Sequence, residues 1–247
     1  MFIFASNTLA QQQSGFAKTI NGIDVVFVEA GQFTMGNRIL STTWGGVERD
    51  VTLSRNFWIS KYPITQFQYE SVKGENPSHF GGNPDYPVEN VTWYNAKEYA
   101  LRVGGRLPTE AEWEFAAKGG NLSQGFIYSG SNNLEEVGWF STNCQTPQAV
   151  GQKLPNELGL YDMSGNVWEW TSDWQSDFGT GKIADPSGPF SGTHRLIRGG
   201  SFNYGAGRSM TAFRADQWPS EGYYNVGFRV VFDETDIVCA EQTETHE

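Results

Sequence analysis

The chain has 247 residues, 38% of them hydrophobic and 15% aromatic, with nine Trp, 17 Phe and 29 Gly. This excludes a disordered chain, which is poor in aromatics and rich in charge, and describes a loop-rich globular protein held by aromatic packing. Seventeen basic against 28 acidic residues give a net charge of −11, which repels phosphate backbones and argues against a nucleic-acid partner.

The first 13 residues, opening Met-Phe-Ile-Phe-Ala and closing on Gln11-Gln12-Gln13, read as the remnant of a secretory signal. The protein is therefore expected to be exported, to a periplasm, a cell surface or the extracellular space. No stretch is long enough to span a bilayer. Residues 23–33 carry Ile23, Val25, Val26, Phe27 and Val28 between Gly22 and Gly31 and predict a strand; residues 51–60 predict a second. Three short helices follow. Thr65 with Gln68 is a capping box, and that helix stops near Gly74. Thr92 caps a helix with Ala96, Tyr99, Ala100 and Val103 on one face, ended by Gly104-Gly105. Thr109 with Glu112 is a second box, opening a helix with Ala111 and Phe115 on one face. After about residue 120 the helical signals vanish, and turns separate short apolar runs at 126–128, 137–140, 196–197 and 226–232. The last run is expected to return to the main sheet. One domain over residues 14–232 precedes an acidic tail, 233–247.

The segment from Gly159 to Trp170, Gly-Leu-Tyr-Asp-Met-Ser-Gly-Asn-Val-Trp-Glu-Trp, fits no amphipathic period. Its acids and glycines suit a tight loop around a hard cation such as Ca²⁺, which takes carboxylate and carbonyl oxygens. A tryptophan-rich core turn with solvated acids is the alternative. His79, His194 and His246 form no close pair, and Cys144 and Cys239 are far apart without zinc spacing. A disulfide between them is possible but not inferable from sequence.

Seven motifs stand in order: Phe33-Thr34-Met35-Gly36, Pro63-Ile64-Thr65, Pro87 to Trp93, Gly105 to Glu114, Gly159 to Trp170, Arg198-Gly199-Gly200-Ser201-Phe202, and Gly227-Phe228-Arg229. Together they resemble the formylglycine-generating-enzyme, or sulfatase-modifying-factor, family. The resemblance implies an α+β, C-type-lectin-like fold, loop-rich, with short helices and a twisted antiparallel sheet. It also implies a structural Ca²⁺ held by Asp162, Gly165, Val167 and Glu169, the glycine and valine through backbone carbonyls. The family's other calcium site has no clear match.

Formylglycine-generating members resemble copper oxidases in which two cysteines shortly after Gly-Gly-Ser hold Cu(I), because soft thiolates select that ion. Here residues 202–210 read Phe-Asn-Tyr-Gly-Ala-Gly-Arg-Ser-Met, without cysteine, so no copper is expected. A second branch resembles non-haem-iron enzymes whose histidines come largely from an added helical domain, and this chain has no such domain. Ser201 has no histidine partner by motif; Glu110, Glu112 and Glu114 read as helix residues with structural duties or solvated faces.

The segment 203–224 offers instead a recognition surface: Asn203, Tyr204, Arg208, Phe213, Asp216, Gln217, Trp218, Glu221, Tyr223 and Tyr224, with glycines between them. Core packing is the alternative for Tyr204, Phe213 and Trp218. The arrangement resembles the face that diversity-generating retroelements mutate in C-type-lectin-like variable proteins. Many of these residues lie one or two adenine substitutions from an asparagine codon. The expectation is a non-catalytic binder of a protein or other surface ligand. A formylglycine-generating or non-haem-iron oxidoreductase, or a part of a cell-surface secretion or gliding machine, is the alternative.

Overall fold

The computed structural model describes residues 13–40, 44–177 and 179–234, so the expected signal remnant and most of the acidic tail lie outside the described residues. The apolar run after Gly22 forms strands, but two where one is predicted. β1 (Ala17–Ile20) and β2 (Ile23–Val28) form a hairpin through Asn21-Gly22, both at positive φ, as a two-residue hairpin turn requires. β3 (Gly31–Met35) then enters a different sheet. The second predicted strand divides likewise into β4 (Arg49–Leu53), which pairs with β3, and β5 (Phe57–Ser60), which pairs with β2. Side chains satisfy the backbone at both breaks. Asn56 Oδ1 accepts the Ala30 N–H at 2.8 Å, and the Asp185 carboxylate accepts the Ser54 N–H and hydroxyl at 2.8 and 2.6 Å.

The helices follow their written ends. α1 (Gln66–Lys73) has both halves of its Thr65–Gln68 capping box and ends on Gly74 in the left-handed conformation. In α2 (Trp93–Arg102), Thr92 accepts the Asn95 N–H, and Trp93, Ala96, Tyr99 and Ala100 are buried. α3 (Glu110–Ala117) carries the reciprocal Thr109–Glu112 box. A single turn, α4 (Leu134–Val137), was not predicted; four residues are too few to display a helical period.

The second half supplies β6 (Trp168–Trp174), β7 (Ile183–Ala184), β8 (Arg195–Arg198), β9 (Arg214–Gln217), β10 (Val226–Phe228) and β11 (Val231–Asp233). The sheets run β1-β2-β5-β11, β10-β6-β8-β9 and β3-β4-β7. The α+β architecture with short helices agrees with the sequence reading, and β11 does return to β5 in antiparallel register. The pairing is mixed rather than wholly antiparallel, since β6 with β10 and β4 with β7 run parallel. Asp233, assigned by sequence to the tail, closes β11 and pairs with Arg106 at 2.7 Å.

Buried ion pairs bolt these elements together. α3 presents Glu110 and Glu114 inward. Arg198 reaches Glu110 at 3.0 Å and Glu114 at 2.5 Å, while Arg214 clamps Glu110 at 2.8 and 2.9 Å. Burial alone would raise the Glu114 carboxyl; Lys118 and Arg198 outweigh it and hold it low. Arg229, wholly buried, donates from Nε and Nη2 to the two oxygens of Glu169 at 2.6 and 2.8 Å, and to the carbonyls of Ser60 and Tyr161. Arg229→Met is expected to lose about 3–5 kcal/mol, because it strands a buried charge on Glu169. A loss below about 1 kcal/mol in urea unfolding, the value of an exposed pair, would contradict that role.

Candidate ligand-binding face and metal loop

The loop before β6 is shaped by its backbone. Gly159, Asp162, Gly165 and Asn166 all take positive φ, a region that Asp and Asn tolerate and glycine enters freely. A Cβ on Gly165 would sit 2.3 Å from the Trp139 carbonyl, so no larger residue fits. Asp162 and Glu169 are both buried, but their partners differ. Glu169 is neutralised by Arg229 and also accepts the Trp113 indole N–H at 2.6 Å. Among the described residues the donors to Asp162 are neutral, the Gly151 N–H at 2.7 Å and the Asn166 amide at 3.3 Å. Burial raises its pKa to about 6; Gly151, Arg229 and Asn166 offset this only in part, and the Glu169 charge adds to it. The donor set thus fits a hard cation best at Asp162, and less well at Glu169, which already has a cation.

The ten residues expected to bind ligand fall into two clusters. The first surrounds the buried Ser201. Its hydroxyl donates to Asn203 Oδ1 at 2.8 Å, the Asn225 amide donates to the same oxygen at 3.0 Å, and the Asn203 amide donates to the Tyr224 hydroxyl at 3.0 Å. Tyr224 is half exposed. Tyr204 stands edge-on to Trp168 at 5.9 Å, with the Arg208 guanidinium 4.3 Å over its ring. The second cluster lies along β9 and the turn after it. Asp216 and Gln217 are partly exposed, Glu221 is exposed, and Trp218 is 52% exposed with the His194 ring 4.2 Å away. Tyr223 leans on Trp170.

Phe213 is a correction. It is only 8% exposed, packed on Trp168 at 6.0 Å and covered by the parallel ring of Trp44 at 5.5 Å. It therefore supports the face from below, and Trp44, 42% exposed, takes the outer position. Sequence reasoning missed Trp44, an isolated Trp in a Gly-rich stretch far from 203–224. It also missed His79 and Phe80, whose rings meet Tyr224 at 6.0 and 6.2 Å. Beneath them the buried Glu89 accepts the Phe80 N–H at 2.7 Å, while among the described residues no hydrogen bond reaches Oε2. Burial raises its carboxyl. A glutamate between valines (Val88 and Val91, with Asn90) was the available signal.

A sulfatase-modifying factor enzyme 1-like domain model matches residues 11–234. The chain belongs to this family. Among its relatives, the chaperone protein LppX of Paenibacillus barcinonensis is 38% identical, over 62% of this chain and 72% of its own length. The formylglycine-generating enzyme of Streptomyces coelicolor is 37% identical, over 63% of this chain. The match spans 55% of that enzyme, about half its length. Among solved structures, Treponema denticola variable protein 1 superimposes with a TM-score of 0.80 at 28% identity, over 88% of this chain and 98% of that one.

The family's copper chemistry needs paired thiolates, and the residues present do not fit it. No cysteine stands in 202–210, and Cys239 lies outside the described residues. Among the described residues Cys144 has no disulfide partner, and its thiol donates to the carbonyls of Phe140 at 3.5 Å and Phe202 at 4.0 Å. Burial pushes it up to about 11, the opposite of an activated cysteine. In a Cys239→Ser protein, iodoacetamide should alkylate Cys144 slowly at neutral pH and faster only as pH approaches about 11. Rapid labelling at pH 7, monitored by intact mass, would show a thiolate the geometry does not provide.

Proposed function

We propose that this domain is a non-catalytic binding module, exported, that captures a protein or other surface ligand through Asn203, Tyr204, Arg208, Trp218 and Tyr224, extended by Trp44 and His79. The observation that carries this reading is the composition and placement of the segment after Gly-Gly-Ser. Where the oxidase members would carry thiols, it carries Asn203 and Tyr204, partly exposed, with Tyr204 resting on Trp168, and further along the same segment it presents the half-exposed rings of Trp218 and Tyr224. Rigid aromatics supply large contact area at low entropic cost, and amides supply adaptable hydrogen bonds. The likeness to a variable protein supports a scaffold that holds its core constant while its face differs. Retroelement diversification of 203–224 forms part of the same proposal.

Trp218→Ala combined with Tyr224→Ala removes two half-exposed rings and should cost little stability. Captured on a sensor surface, the wild type should retain a discrete partner from host envelope extract, and the double variant should retain about tenfold less. Equal retention would place the ligand elsewhere. In a parallel arm, Cu(I) and a cysteine-containing peptide under oxygen should yield no aldehyde, and an aldehyde product would replace the binding reading with the oxidase one.

The proposal includes a structural Ca²⁺ held by Asp162, the carbonyls of Gly165 and Val167, and Glu169, which would share its carboxylate with Arg229. Support comes from Asp162, a buried carboxylate whose hydrogen-bond partners are all neutral. Such a charge is costly without a cation, and oxygen donors suit a hard one. EDTA should lower the melting temperature by several degrees, and added Ca²⁺ should restore it. An unchanged melting curve, with no metal by elemental analysis, would reject the site.

A further inference from the structure

The polar groups of the first cluster differ in what they leave free for a ligand. Asn203 Oδ1 is filled from within the chain, by the Ser201 hydroxyl at 2.8 Å and the Asn225 amide at 3.0 Å. Its amide nitrogen gives one hydrogen to the Tyr224 oxygen at 3.0 Å and keeps the other. Tyr224, which accepts there, keeps its own hydroxyl proton and is 48% exposed. Arg208 is exposed, with its guanidinium 4.3 Å over the Tyr204 ring. A turn brings it back there, the Arg208 N–H donating to the Gly205 carbonyl at 3.1 Å. Among the described residues that guanidinium forms no ion pair. The acids of α4, the turn whose apolar side packs on Ala206, are engaged elsewhere: Glu135 accepts from Asn143, and Glu136 from Ser131 and Asn133. Residues 199–213 contain no acid, and Asp216 and Glu221 belong to the second cluster, with Trp218.

We propose that this patch receives carboxylates, presented by an acidic segment of a protein partner. This rests on the binding reading above and names the chemistry that the first cluster selects. What Asn203, Arg208 and Tyr224 offer outward is donors and one positive charge; a carboxylate offers two acceptor oxygens and a negative charge. A guanidinium already held over an aromatic ring has less freedom to lose when it takes a carboxylate through two parallel hydrogen bonds. An ammonium or guanidinium ligand would set donors against donors.

This preference runs against the charge of the whole chain. At a net charge of −11, the long-range field attracts cations and repels acidic segments. Unspecific attraction therefore favours a basic peptide, and only a local donor site can favour an acidic one. A preference for acid is the signature of the patch and not of the surface at large.

The test is isothermal titration of the full chain with hexaglutamate, hexaserine and hexalysine peptides, and with heparin as a sulfated polymer. Hexaglutamate should bind with a Kd of about a millimolar or below, and hexaserine and hexalysine about tenfold weaker or worse. Arg208→Gln should weaken hexaglutamate binding about tenfold, and Arg208→Glu should abolish it. Both variants should keep the wild-type melting temperature, because the side chain is exposed. Silence from hexaglutamate overturns the proposal. So does hexalysine binding as tightly or more tightly, heparin binding in place of hexaglutamate, or full hexaglutamate binding by a folded Arg208→Gln protein. Any of these leaves the binding reading standing while the Trp218→Ala, Tyr224→Ala double variant still loses the envelope partner, so the two fall separately.

Discussion

The contact between Arg229 and Glu169 organises this molecule. One guanidinium joins β6 to β5 through the Ser60 carbonyl and to the loop before β6 through the Tyr161 carbonyl, while Glu169 reaches α3 through the Trp113 indole. Removing two charges from water is expensive, and the cost is offset only because nearly every donor and acceptor finds a partner at good distance. The consequence is positional. With Glu169 held by Arg229 and Trp113, the flanking Trp168 and Trp170 are set in register, and Tyr204, Phe213 and Tyr223 rest on these two rings. The face inherits its rigidity from an ion pair it does not touch.

Aromatic packing does elsewhere what regular secondary structure does in other folds. Arg195 lies between Trp93 and Trp174, 3.7 and 3.5 Å from their ring centres, and donates to the Ser172 carbonyl. That sandwich ties α2 to β6 and β8 across a region with few ladder bonds. Burial lowers the Arg195 pKa to about 10 and leaves it a cation at neutral pH, so the stacking retains its electrostatic part. Long loops are then tolerable because their anchor points are large, stiff side chains.

What was legible in the sequence is what has a local cause. The Thr65–Gln68 and Thr109–Glu112 boxes, the Thr92 cap and the Gly74 stop depend on residues within a few positions of each other, and all appear in the structure. The breaks at residues 29–30 and 54–56 were not legible, because Asn56 and the distant Asp185 enforce them. The same limit governed the face. Phe213 looked like a contact residue until Trp44, more than 160 positions earlier, was found covering it; His79 joined Tyr224 by a similar long-range approach. The loop Gly159 to Trp170 was recognisable as unusual, but the Arg229 partner of Glu169 was not, since nothing near Glu169 in sequence announces it.

The placement of the perturbed acids bears on how such a scaffold separates binding from chemistry. Active sites gather shifted carboxyls around a reacting centre. Here Glu89 braces the turn at 78–80, Asp162 sits in the loop before β6 and Asp173 lies between β6 and α3, each raised chiefly by burial. Beneath Gly-Gly-Ser the fit is tight: a Cβ on Gly200 would come within 2.5 Å of the Ser209 hydroxyl, which is buried without a hydrogen-bond partner. That spot leaves no room for a side chain on Gly200. The half-exposed rings around it offer recognition of another surface, which requires no tuned base. On the binding reading proposed above, the buried ion pairs hold the family backbone in place while the face above it serves recognition.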